Sequence, residues 1–198
     1  NHELARAREV ASEPAIALIR LHWWREVVEG AARAHEVASP LRRALEAGWF
    51  DPADLLALID AREAEAEPIP DQAAFLAYAR GTAGRLMRVA GKTLGADDPV
   101  LDDLGAGYGI AAILRSAPAL AARGRELLPE RADIPELTAE ARGLLSARAP
   151  KVALPAALPC VLARRDLDRI ERGAAPASRP RGLADRLAVI RAGLSGHI

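Results

Sequence analysis

Apolar residues recur at three- and four-residue intervals along most of the chain, and no stretch alternates as a half-buried strand does. Ser12 can N-cap a helix entered through Glu13 and Pro14, whose apolar face reads Ile16, Ile19, Trp23 and Val27. Ser39-Pro40 opens the next helix and Gly48 closes it. Asp51-Pro52 opens another, carrying Leu55, Leu58 and Ile59 and ending before Pro68. Asp71 starts a longer one, with Leu76, Ala79, Ala83, Met87, Ala90 and Leu94 on one stripe and Gly95 just beyond. From Asp98-Pro99 a helix apolar on several faces runs to Ala117, where Pro118 is expected to end it. A helix so apolar belongs at the centre of a bundle, and Gly105, Gly107 and Gly109 would let neighbours approach it closely. A helix near 135–147 follows, then a stripe of Leu158, Val161, Leu162 and Leu167. A last amphipathic helix carries Leu183, Leu187, Ile190 and Leu194. The pattern predicts an all-α fold, about eight helices in a single bundle. One domain is expected over 1–172, an Ala/Pro/Ser-rich linker over 173–181, and a C-terminal helix over 182–198 packed on the same domain.

Composition narrows the classes. Of the 198 residues 51% are apolar but only 4% aromatic, so Ala and Leu dominate, which favours helix. Lys+Arg and Asp+Glu both number 27, a balance that argues against a nucleic-acid binder. Cys160 is the single cysteine and lies in an apolar stretch, which fits an inert core thiol in a reducing compartment. No apolar run reaches the ~18 residues of a membrane span and no secretory signal pattern is visible. The expected location is the cytoplasm, with peripheral contact at the inner membrane as the option the terminal helix offers through Arg186 and Arg191 beside Leu187 and Ile190.

Four segments carry a resemblance. The first runs from Asn1 to Arg6, through Ser12-Glu13-Pro14, to Ile19-Arg20-Leu21-His22-Trp23-Trp24-Arg25. The second is Gly107 to Pro118, containing Ile113-Leu114-Arg115-Ser116, followed by Arg123-Gly124-Arg125 and Leu128-Pro129. Leu58-Ile59-Asp60-Ala61-Arg62-Glu63 and Tyr78 to Gly84 lie between them. Together, over roughly residues 1–170, they resemble the squalene/phytoene synthase family, nearest the branch that includes the mitochondrial complex I assembly factor and its bacterial relatives. The resemblance implies the isoprenoid synthase bundle, here lacking the first helix that active members carry before the position of Asn1. It also implies a cavity or anion site at Arg20, Trp23, Trp24, Tyr78, Arg115, Ser116, Arg123 and Arg125.

Active members of that family condense two prenyl diphosphates using Mg²⁺ held by two DxxxD motifs. That spacing sets two carboxylates one turn apart on one helix face, and Mg²⁺ demands such hard oxygen ligands. Here Ala5 and Glu9 stand at the first motif, with Arg6 and Arg8 beside them, and Ser116 and Leu120 stand at the second. The amide positions one and two turns earlier match Ala112 and Gly109. No metal site is expected. Asp97, Asp98, Asp102 and Asp103 read as a capped, solvated helix start rather than a substitute, and Glu63/Glu67 and Glu136/Glu140 as exposed faces. His2, His22, His35 and His197 lack metal-ligand spacing, and His22 is expected to be packed or hydrogen-bonded.

The function that follows is a non-catalytic scaffold for a protein client or an apolar prenyl lipid, with no cofactor and with respiratory-complex assembly as the client process the resemblance implies. The alternative is an active prenyltransferase, which alone would bring in Mg²⁺. Nothing in the residues fixes an oligomeric state.

Overall fold

In the computed structural model the described residues are all of the chain except Ser12 and residues 174–180. The protein is 72% helical and holds no strand among the described residues, an all-α fold as the apolar periodicity predicts. It divides into two compact units, Asn1–Pro68 and Ile69–Ile198.

The first unit is built from α1 (His2–Glu9), α2 (Pro14–Val28), α3 (Ala38–Glu46) and α4 (Pro52–Glu63). Its core gathers Ala7, Leu21, Trp24, Val27, Val28 and Ile59. The Asp51 carboxylate accepts from the Ala53 amide at 2.9 Å, capping α4 as expected. Arg25 of α2 pairs with Asp60 and, at 3.3 Å, with Glu63, both on α4. The expected inner face of α2 is corrected. Ile16 and Ile19 point to solvent, and the buried positions are Ala17, Leu21, Trp24, Val27 and Val28. Two apolar stripes compete on this helix, and the one ending in Trp24 and Val28 is the one that packs with Ala7 and Ile59 in the core. The expected cap of α2, Ser12, lies outside the described residues.

The second unit contains α5 (Gln72–Ala79), α6 (Arg85–Thr93), α7 (Val100–Ala121), α8 (Ile134–Leu145), α9 (Leu154–Ala157), α10 (Pro159–Glu171) and α11 (Leu183–Ser195). Asp71 caps α5 by accepting from the Ala74 amide at 2.8 Å. Asp133 caps α8 by accepting from the Glu136 amide at 3.0 Å. α5 and α6 form one rod interrupted by a π turn over Arg80–Gly84. That turn rotates the stripe read from sequence. Phe75, Tyr78, Thr82, Met87, Val89 and Gly91 are buried, whereas Leu94 is exposed.

α7 is the central helix and packs against the π turn, α6, α8 and α10. Leu101, Leu104, Ile110, Leu137, Leu145 and Leu167 meet around it with no exposed surface to speak of. It corrects two expectations. It runs on through Pro118 to Ala121, because a proline near the end removes only the bond to the Leu114 carbonyl. Closure comes at Gly124, in the left-handed region at φ 67°. α7 is also long and apolar enough to cross a membrane by length and composition, with half of its most apolar window buried against its neighbours. On α10 the buried residues are Cys160, Ala163, Asp166 and Leu167, with Val161 and Leu162, and Leu158 just before the helix, only half-buried. The linker expected over 173–181 falls largely on residues 174–180, outside the described residues.

Two of the glycines in α7 are dictated by close approach. A Cβ on Gly105 would stand 2.5 Å from the Ala83 carbonyl oxygen and 2.7 Å from Gly84 Cα. One on Gly109 would stand 2.7 Å from Ala83 Cβ. The backbone of the π turn therefore lies directly on α7. Gly105→Val is expected to lower stability in urea titration by about 3 kcal/mol. Gly143→Ala, on α8 with open space around it, is expected to raise it by about 0.5–1 kcal/mol.

Candidate functional site

The first-motif positions lie one turn apart on α1. Ala5 is half-buried and Glu9 exposed, while Ala7 between them is packed in the core. The second pair lies on the last turns of α7. Ser116 turns its hydroxyl back on its own helix, donating to the Ala112 carbonyl at 2.7 Å, and Leu120 follows one turn on, half-buried. Gly109, two turns earlier, holds α7 against Ala83, so a side chain the size of an amide has no room there. Neither pair presents two carboxylates. Among the described residues no group of three His, Cys, Asp or Glu side chains lies close enough to hold a metal ion. These residues do not fit Mg²⁺, whose binding needs several convergent oxygens.

The acidic run before α7 is fully engaged. Asp98 accepts from the Val100 amide at 2.9 Å, which is capping. Arg88 bridges Asp97 at 2.9 Å and Asp102 at 2.8 Å, and Arg80 reaches Asp103 at 3.0 Å. The hydrogen bond from Arg88 holds Asp97 below the usual carboxylate range.

The first unit carries a groove of about 450 Å³ along α1 and α2. Arg20, Trp23 and Trp24 line it together, joined by Arg6, Ile19 and His35. The two tryptophans meet edge to face with ring centroids 4.9 Å apart. The His35 ring sits 5.5 Å from Trp23 and 5.3 Å from Trp24. His35 Nδ1 accepts from the Val37 amide at 3.1 Å, which leaves the proton on Nε2 in the neutral ring. Trp24 is buried and Trp23 only half-buried, so one packs inward and the other forms the groove wall. Arg6 and Arg20 line this aromatic, apolar surface together with Glu3, and the Arg6 guanidinium pairs with Glu3 at 3.5 Å, which leaves Arg20 as the cation placed to meet an anion with an apolar body. His22 is exposed, contrary to expectation, with Nε2 3.9 Å from Glu26.

The other expected site residues lie in the second unit. Tyr78 is buried in its core, and its carbonyl accepts from the Thr82 hydroxyl at 2.7 Å. Arg115 stands with Nε 4.0 Å from Asp166 of α10. Arg123 is exposed and Arg125 half-buried just past the C-terminus of α7, where the helix dipole favours cations. Sequence reasoning missed Arg6 and His35. His35 lies in the loop after α2, and only the fold brings it onto the tryptophans.

Two buried carboxylates, Asp166 and Asp185, organise the arginines around α10 and α11. Asp166 accepts from Arg181 at 2.6 and 2.7 Å and from Arg169 at 3.0 Å. Asp185 accepts from Arg165 and Arg169, both at 2.6 Å. Burial pushes the Asp185 carboxyl up, but these two hydrogen bonds outweigh it and hold the group below its ordinary range. Cys160 is buried, and burial pushes its thiol up to about 12, so it is not a nucleophile.

The sequence profile of the squalene/phytoene synthase family matches residues 1–132. The chain belongs to that family. The matched region includes both motif positions and the tryptophan groove but stops short of the roughly 170 residues over which the resemblance was drawn. No curated protein and no solved structure matches significantly.

A depressed carboxylate contributes stability that is present above its unfolded pKa and lost as pH falls through its folded value. Asp185→Asn is expected to cost about 1–3 kcal/mol at pH 7, discounted for the partly exposed arginines. Urea titrations of both proteins check this, and the difference should vanish once the pH is below the folded pKa of Asp185.

Proposed function

We propose that this chain is a non-catalytic member of its family, a helical scaffold that binds a protein client or an apolar, prenyl-type lipid without Mg²⁺. The observation that carries the reading is the chemistry at the two motif positions. Ala5 with Glu9, and Ser116 with Leu120, cannot supply paired carboxylates, and Arg6 and Arg8 oppose a cation at the first. Diphosphate departure in this chemistry depends on metal-bound oxygens, so losing both platforms removes the step that makes the allylic cation. The groove of Arg20, Trp23 and Trp24 supports the lipid side of the reading, because a cation beside aromatic rings recognises an amphiphilic anion directly. A role in assembling a respiratory complex follows from resemblance alone and belongs to the protein-client side. The location that goes with this reading is the cytoplasm.

The test is turnover. The protein is incubated with farnesyl or geranylgeranyl diphosphate, with and without Mg²⁺, and free pyrophosphate is measured against an active homologue. The expected result is release no faster than the buffer control. Metal-dependent release would establish the alternative, an active prenyltransferase, with Glu9 the one acid left at a motif position.

A further inference from the structure

The helix expected to close the bundle with its apolar side does the opposite. Leu183, Leu187, Ile190 and Leu194 of α11 are 72%, 54%, 56% and 85% exposed. At 100° per residue they fall within an arc of about 60°, a continuous ridge. The inward side holds Asp185 and Ala192, the only buried residues of the helix. α11 is therefore fastened through Asp185 to Arg165 and Arg169, which leaves its hydrophobic side outward.

Charge decides what fits this ridge. α11 contains three charged residues, Asp185, Arg186 and Arg191. Asp185 is turned inward, so the outward surface of the helix carries two cations and no acid. Arg186 and Arg191 lie about 70° to either side of the ridge, and neither has an ion pair among the described residues. The groove of about 610 Å³ between α10 and α11 adds Arg164 on the Arg191 side, while Arg165 in its wall is already paired with Asp185, and no acidic side chain lines it. A second copy is a poor occupant. Laid antiparallel, ridge on ridge, it sets Arg186 beside Arg186 and Arg191 beside Arg191 of the other chain, and no exposed acid on either helix relieves the repulsion.

We propose that α11 is a membrane-docking helix, its leucine ridge entering the interface of an anionic bilayer. Arg186 and Arg191 extend along the ridge and reach lipid phosphates on both sides, with Arg164 beside Arg191. An apolar stripe bordered by arginines is the arrangement that lies in the plane of a bilayer surface. With only four large apolar residues the contact is reversible and depends on anionic headgroups. It is independent of whether the chain turns over substrate.

The test is co-sedimentation of the full chain with vesicles of equal parts phosphatidylglycerol and phosphatidylcholine, and with phosphatidylcholine alone. Binding is expected to the anionic vesicles only and to weaken with salt. Replacing Arg186 and Arg191 together by Ala is expected to weaken it roughly 30-fold. Leu187→Glu with Ile190→Glu is expected to weaken it at least about tenfold, and because both side chains are exposed the thermal melt should not move. Three results would each overturn the proposal. One is no binding by the parent protein, and another is binding by either variant as strong as the parent's. The third is a dimer in sedimentation velocity that the Leu187→Glu, Ile190→Glu protein loses.

Discussion

The second unit is organised by the contact between the π turn at Arg80–Gly84 and the glycines of α7. A Cβ at Gly105 would collide with the Ala83 carbonyl, and one at Gly84 with the Asp102 carbonyl. With both absent the two backbones touch, and α7 becomes the axis on which α6, α8 and α10 are packed. The same contact acts on the chemistry. Gly109 belongs to that seam, so the position from which an active relative offers an amide is spent here on helix packing. Ser116 bonds to its own helix, donating to the Ala112 carbonyl.

The arginines that remain are divided between partners and surface. Arg88 and Arg80 neutralise the acidic start of α7, while Arg165, Arg169 and Arg181 converge on Asp166 and Asp185. These pairs hold α10, α11 and the segment before α11 together at a place where apolar packing is thin. Arg6 and Arg20 are instead set on the tryptophan groove of the first unit. Active members of the family grip diphosphate through bridging metal, whereas the groove of the first unit here sets Arg20, and Arg6 paired with Glu3 at 3.5 Å, against an aromatic wall.

Much of the fold was legible because helix boundaries in this chain are written in residues with one local meaning. Asp51 and Asp71 cap where they stand and Gly48 and Gly95 close helices in the left-handed region, whereas the end of α7 was read at Pro118 and closes at Gly124. Which face turns inward was less legible. In a chain this rich in Ala and Leu a helix offers more than one apolar stripe, and partner geometry chooses between them. On α2 the choice fell to Ala17, Leu21, Trp24 and Val28, and on α11 an ion pair outcompeted the leucines altogether. The π turn left no sequence signal and shifted the α5–α6 stripe. At the groove, Arg20, Trp23 and Trp24 were found from the sequence, whereas Arg6 and His35 needed the fold to bring them in.

The central claim is that this family member holds no magnesium–diphosphate site. It is tested most directly by titrating the protein with unreactive farnesyl thiodiphosphate in a calorimeter, with and without Mg²⁺. The account predicts that Mg²⁺ changes the affinity by no more than about twofold, because no paired carboxylates exist to bridge metal to ligand. An affinity that rises about tenfold or more on adding Mg²⁺ would contradict it, since that gain requires protein oxygens on the metal.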